Sequence, residues 1–244
     1  MKSVKFFIAA AFSALLLQAA PAGGQDKVTK AVIQAGTNDN RVMELEDFLA
    51  NRIGGRPVGS QSLEDAEKWV EKQLRSWGLE VMVQEVGEIG VGFSRGPWSG
   101  RMLAEDGMVL HFGTPGYSAG TRGPQKGRAL LEPKDRKELD RMRGALKGSW
   151  VLVNAKSSGF AVNYDDTVHL YREMAEAGVL GFIQPADLPI RVLYDRKGCY
   201  KLTMDSLPTV CDIKLDERQF AIIRNKLEAR EDVTLEFDIL NHFF

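Results

Sequence analysis

Histidine is scarce in this 244-residue sequence, and its placement limits what chemistry the chain can perform. His111, His169 and His242 form no His-x-Glu and no His-x-x-x-His pair. A zinc ion needs about three protein ligands in convergent geometry. Asp165 and His169 stand one helical turn apart and could share a face, but no third ligand joins them. The expectation is that Asp165 or Asp166 caps a helix, with His169 partly exposed beside it. Gly92-Phe-Ser-Arg-Gly96 has the letters of a nucleophile elbow. That elbow requires a buried strand before the serine and a helix after it. Here Pro97 follows at once and the flanks are rich in glycine, so Ser94 is not read as a nucleophile. Gly54, Gly55 and Gly59 lack the Lys-Ser/Thr pair of a phosphate loop. No catalytic residue, no cofactor-binding residue and no metal ligand is therefore assigned.

The two cysteines, Cys199 and Cys211, leave two readings open. As a disulfide they would close a short loop, worth about 2–3 kcal/mol in the chain-entropy model. As two buried thiols they would serve packing alone. A metal or nucleophile role has no neighbouring histidine to support it.

The elements that would carry these residues follow from periodicity. Val42, Leu45, Phe48 and Leu49 predict a helix over Arg41–Asn51. It ends in the loop Arg52-Ile-Gly-Gly-Arg-Pro-Val-Gly-Ser60. A second helix starts at Ser62, with Asp65 as capping-box partner. Its stripe is Leu63, Ala66, Trp69, Val70, Leu74 and Trp77, and Gly78 stops it. Leu79–Val86 alternates and predicts a strand. Beyond Gly87 glycine is dense. Met102 and Val109 fall in apolar runs flanking Glu105-Asp-Gly107, a hairpin signal. Short strands are expected at Arg128–Leu131 and Trp150–Asn154, around a charged helix from Lys134 to Leu146. That helix mixes both signs, as a solvated face does. Thr167–Ala177 predicts a helix, Val179–Ile183 a buried strand and Leu207–Ile213 another. Asp216 caps a helix through Leu227, and Val233–Leu240 is the last strand. The fold class is mixed α/β with a β-rich middle.

Composition bounds the rest. Net charge is −1, charged residues are 27% and aromatics 9%. No basic excess points to nucleic acid. Lys2 and Lys5 precede a mostly apolar run from Phe6 to Leu17, then Ala20-Pro21-Ala22. This pattern predicts a cleaved secretory signal over residues 1–24. The run is shorter than the ~20 residues that span a bilayer. The expected location is therefore secreted or periplasmic, with no membrane contact after cleavage.

Several segments together resemble one family. Arg52–Ser60, followed by a helix ending in Trp77-Gly-Leu-Glu80, resembles the opening of secreted zinc exopeptidases of the carboxypeptidase Q (plasma glutamate carboxypeptidase) group. Arg95-Gly-Pro-Trp98 and Tyr117-Ser-Ala-Gly-Thr-Arg-Gly123 resemble the start of that group's inserted protease-associated domain. Gly148-Ser-Trp-Val-Leu-Val153 and Glu176-Ala-Gly-Val-Leu-Gly-Phe-Ile183 resemble its later strands. The resemblance implies an opening segment of the peptidase fold over 25–94, a protease-associated-like domain over 95–213, and a helix and strand over 214–244 that lead into an absent catalytic domain. It implies a two-zinc site only in a full-length member; none of that site's residues can be placed here. The function expected is that of the non-catalytic front part of a zinc exopeptidase, inactive alone. The alternative is a stand-alone secreted module that binds peptides or proteins. The expected partner is a peptide or the missing catalytic domain. Trp69, Trp77, Val81, Val83, Leu235, Phe237 and Ile239 are expected to lack cover.

Overall fold

The structure, a computed structural model, describes residues 22–104, 107–155, 157, 159–186, 193 and 196–244. The signal reading (residues 1–21 of it) and the Glu105-Asp106 turn lie outside the described residues. The chain divides into two compact units, 1–52 and 53–244. In the first, α1 (Ala22–Asn38) precedes α2 (Val42–Asp47), which runs on into a π-helical turn, Phe48–Ile53. The sequence reading did not predict α1, although Val28, Ala31, Val32 and Ala35 recur at helical spacing. Local ion pairs run along these helices, Asp26 with Lys30 and Arg41 with Glu44, worth a few tenths of a kcal/mol each.

The second unit opens with α3 (Gln61–Ser76). Its cap is Ser60, not Ser62: the Ser60 hydroxyl accepts from the Leu63 backbone N–H at 3.1 Å. Gly78 ends it at φ +82°, as expected. The strand expected over Leu79–Val86 does not form. Among the described residues no neighbouring strand pairs with it, so Met82 is 88% and Val86 97% exposed. Of the residues expected to lack cover, Trp77 and Val83 are exposed, whereas Trp69 and Val81 are half-buried.

A seven-stranded sheet follows, built from β1 (Phe93–Leu103), β2 (Phe112–Gly113), β3 (Gln125–Leu131), β4 (Trp150–Leu152), β5 (Gly181–Ala186), β6 (Cys211–Asp216) and β7 (Thr234–Phe243). The spatial order is β1-β7-β3-β4-β5-β6-β2. β3, β4, β5 and β6 are parallel, and the other pairs are antiparallel. Helices α4 (Arg136–Leu146) and α5 (Tyr171–Glu176) lie on the β3-to-β4 and β4-to-β5 connections, and α6 (Glu217–Glu228) follows β6. The mixed α/β class expected from the sequence is what the chain adopts.

Parallel strands covered on both sides must be apolar on both sides, and β4 shows how. Trp150 and Leu152 point into one core with Ile183, Ile213, Phe237 and Ile223 of α6. Val151 points into the other, with Phe182, Leu139 and Leu146 of α4 and Met174 of α5. Asp135 caps α4 by accepting from the Glu138 N–H at 2.7 Å, so that helix starts two residues later than its charge pattern suggests. Helix α5 is shorter than the predicted Thr167–Ala177, because Leu170 takes φ +51° and breaks the run.

The terminal strand corrects a larger expectation. Leu235, Phe237 and Ile239 are fully buried. β7 pairs with β1 from Phe93↔Phe243 to Leu103↔Thr234, with an irregularity between Arg95 and Trp98, and with β3 on its other side. Gly92 and Phe244 then exchange backbone hydrogen bonds, 2.6 Å and 3.2 Å. The cover that these residues need comes from the same sheet and from α6.

Candidate binding cleft

The strand Cys-Asp-Ile-Lys-Leu-Asp216 alternates apolar and charged residues, the pattern of a half-solvated strand. Its apolar side does face a core: Cys211, Ile213 and Leu215 join Trp150 and Ile183. Its charged side is buried too, with Lys214 0% and Asp212 1% exposed. Those two residues sit two apart on one strand and therefore on one face. The Lys214 ammonium donates to Asp212 Oδ1 at 2.6 Å, and also to the Gln184 amide oxygen. Asp212 Oδ2 accepts from the Val162 backbone N–H at 2.7 Å. The Gln184 amide nitrogen donates to the Tyr171 hydroxyl at 2.9 Å. Four side chains from β5, β6 and α5 thus form one connected, buried polar network, and each charge has its opposite or a dipole in contact.

Burial shifts the titrations of this region. It makes Lys214 give up its proton more readily than a free lysine, with Asp212 acting against that tendency. It holds the protons of Tyr171 and Tyr164 more tightly than usual, and it pushes the Cys211 thiol up to about 12.

Above the network opens a cleft of about 510 Å³, lined among others by Phe160, Tyr164, His169, Tyr171, Gln184 and Arg196. It lies beyond the carboxyl ends of β4 and β5, where open parallel sheets commonly take ligands. Arg196 is fixed from three sides. Its backbone N–H donates to the Gly116 carbonyl at 3.0 Å, its Nε to the Tyr117 carbonyl at 3.3 Å, and its guanidinium lies 5.7 Å from the centre of the Tyr164 ring. Its Nη2 is buried and makes no hydrogen bond among the described residues. Lys197 lies beside it, 5.0 Å from the centre of the Phe160 ring.

The residues singled out from the sequence fall as follows. His169 does not face Asp165; its Nδ1 meets Glu132 Oε2 at 2.8 Å, both side chains being about four-fifths buried. Asp165 pairs instead with Arg172 at 2.5 Å. Asp166 accepts from the backbone N–H groups of Val168 and His169, but within a turn; the cap position of α5 is Leu170, which makes no side-chain cap bond, so neither aspartate caps that helix as expected. His111 and His242 lie far apart in the sheet order, before β2 and on β7. Ser94 lies within β1 and not on a strand-to-helix turn, and its hydroxyl accepts from the Gln61 N–H at 3.3 Å. No disulfide joins Cys199 to Cys211: Cys211 points into the core from β6, and Cys199 starts a 3₁₀ turn, half-buried. Among the described residues no three His, Cys, Asp or Glu side chains stand together as a metal-ligand set. No described helix is long and apolar enough to cross a membrane.

The glycine loop before α3 has a structural use. Gly59 accepts from the Phe93 N–H at 3.2 Å, and the Val58 carbonyl accepts from the Tyr117 hydroxyl. Gly59 sits at φ +69°, and a Cβ there would stand 2.1 Å from Ile89 Cδ1. The loop docks the start of α3 onto the first strand. Sequence reasoning missed Lys214, Gln184, Tyr171 and Arg196. The one available signal was two opposite charges alternating inside an apolar strand.

No family model matches the sequence, and the comparison with curated proteins finds no match. Solved structures do resemble the fold. A peptidase M28 precursor from Shewanella amazonensis superposes with a TM-score of 0.51 at 14% identity, over 89% of this chain and 50% of that one. An aminopeptidase from an Aneurinibacillus strain gives 0.47 at 14%, over 82% and 44%. A zinc aminopeptidase from Bacillus subtilis gives 0.46 at 11%, over 81% and 42%. The chain spans about half the length of these structures. What it shares with the Shewanella protein is the fold, mixed α/β of the peptidase M28 kind.

Proposed function

We propose that this chain is the non-catalytic front part of an exported zinc exopeptidase, close to the carboxypeptidase Q group, and does not hydrolyse peptides by itself. In this reading the protease-associated-like module runs from β1 to β7 and not over the expected 95–213 alone, because β7 pairs with both β1 and β3. The observation that carries it is the meeting of Gly92 and Phe244, which bond to each other across the module's first and last strands. A module whose two ends leave side by side can be inserted into a host fold without distorting it. The apolar alternation of Leu79–Val86, exposed in this structure, is what a strand awaiting a host sheet would look like. The M28-like superposition over half of a larger peptidase accords with this reading.

The test is hydrolysis. The purified chain is incubated with dipeptides and added zinc, and amino-acid release is followed. No turnover is expected; zinc-dependent turnover lost on His169→Ala would overturn the reading. A second reading is a stand-alone peptide-binding module, favoured by the full burial of Leu235, Phe237 and Ile239 of β7. Export is part of both readings, with the mature chain beginning between Ala20 and Gln25. N-terminal sequencing of secreted material tests that, and an intact Met1 would contradict it.

A further inference from the structure

At the cleft, two hydrogen-bond donors have no acceptor among the described residues. The first is Arg196. Its backbone N–H and Nε are committed to the carbonyls of Gly116 and Tyr117, and its plane is held near the Tyr164 ring. Buried polar groups are nearly always hydrogen-bonded, so an unsatisfied Nη2 on an immobilised guanidinium needs an acceptor. The second is the Tyr171 hydroxyl. A phenol has one proton to give. The Lys214 ammonium holds the Gln184 amide oxygen, so the amide presents its nitrogen to Tyr171, and the Tyr171 oxygen accepts there. Its own proton is left to point elsewhere. Burial keeps that proton in place well above neutral pH, so Tyr171 is a permanent donor.

The lining also selects the sign of the ligand. Arg196 and Lys197 are positive and border the cleft. The two carboxylates at its rim, Asp165 and Asp166, are engaged: Asp165 with Arg172, and Asp166 with two backbone N–H groups. The third nearby carboxylate, Glu132, faces His169 and the Asn154 N–H. The Asp212 charge is matched by Lys214 below the floor. A guanidinium fork is shaped for a carboxylate. Phe160 and Tyr164 supply apolar walls for the rest of a peptide.

We infer that the cleft binds the carboxylate of a peptide, with Arg196 as its anchor and the Tyr171 hydroxyl as its second donor. The buried Asp212–Lys214–Gln184 chain serves as positioning for Tyr171. This names a ligand class for the module in either reading above, and it involves no bond-breaking step.

The experiment is calorimetric titration of the full chain with three peptides: N-acetyl-trialanine, its C-terminal amide, and N-acetyl-Ala-Glu-Ala amide. The free acid is expected to bind at least about tenfold tighter than its amide, as a charge-assisted hydrogen bond is lost. Recovery of binding by the glutamyl amide assigns a side-chain carboxylate as equally acceptable; its failure restricts the site to a chain terminus. Arg196→Gln removes the preference. Arg196→Lys keeps the charge but loses the fork, and restores only part of it. Tyr171→Phe weakens binding by about fivefold. Melting temperatures close to wild type separate these effects from unfolding. Equal affinity for acid and amide, no detectable binding of any peptide, or an unchanged preference in a folded Arg196→Gln variant would each overturn the inference. Mass spectrometry of the recovered peptide reports hydrolysis separately, so binding without cleavage and cleavage itself cannot be confused.

Discussion

Replacing Lys214 by methionine isolates the energetics of the buried network. Methionine nearly matches the lysine stem in volume, so the change removes the ammonium and little packing. Lys214 and Asp212 are 0% and 1% exposed, so no water reaches the carboxylate that is left behind. Asp212 keeps one hydrogen bond, from the Val162 N–H, and loses its counter-charge at 2.6 Å. Breaking a buried pair from one side costs about 3–5 kcal/mol. For a domain of this size that lowers the melting temperature by about 6–20 °C. Removing both charges is milder: Lys214→Met with Asp212→Asn keeps an acceptor for Val162 and leaves no unpaired charge. The assay is urea unfolding of wild type, both single variants and the double variant, read as a double-mutant cycle. A loss below about 1 kcal/mol for Lys214→Met, or additivity in the cycle, would show that the pair is solvated and the reasoning wrong. The proton linkage has a definite sign as well. Lys214 binds its proton less tightly folded than unfolded. Its contribution to stability therefore rises with pH between its lowered value and the ordinary 10.5, and this rise is absent in Lys214→Met.

Other expectations follow from packing and titration. Gly59→Ala places a Cβ 2.1 Å from Ile89 Cδ1 at φ +69°; it should cost about 1–3 kcal/mol in chemical denaturation. Phe237 stacks edgewise on Phe112 and Trp150 at 5.1 and 4.8 Å between ring centres; Phe237→Ala should cost about 3–5 kcal/mol by the same measurement. The Cys211 thiol is raised from 9.0 to about 12, so its stabilising contribution is complete below pH 9 and is lost from there toward 12. Above pH 9 the stability advantage of wild type over Cys211→Ala should shrink by about 1.4 kcal/mol per pH unit, followed by unfolding curves at stepped pH.

Much of the scaffold was legible in the sequence. The α6 cap at Asp216, the stop at Gly78, the charged helix α4 and the strands around Trp150 and Phe182 follow from local signals that tertiary contacts did not override. The two largest failures, the Leu79–Val86 strand and the cover of the last strand, share one cause. Leu79–Val86 has the alternation of a strand, but a strand exists only with a neighbour. Thr234–Phe243 has the same alternation and does have neighbours in β1, from Leu103 opposite Thr234 to Phe93 opposite Phe243. Periodicity reports the capacity to pair, and says nothing of which partner is present. The cleft was illegible for a related reason. Asp212 and Lys214 drew no reading of their own, since charge alternating on a strand usually means water and nothing more. Only the three-dimensional placement of Gln184, Tyr171 and Val162 turns that face into a buried network.

The central claim is that Phe93–Phe243 is a module closed on itself, preceded by a segment that lacks its sheet. Native-state hydrogen exchange tests it most directly, because each backbone amide reports its own opening free energy. The account predicts that the amides of Thr234–Phe244 are protected as strongly as those of β4 and β5, with the Gly92 and Phe244 amides protected by each other, while residues 79–88 exchange at nearly unprotected rates. Exchange of Thr234–Phe244 as fast as that of residues 79–88 would contradict it.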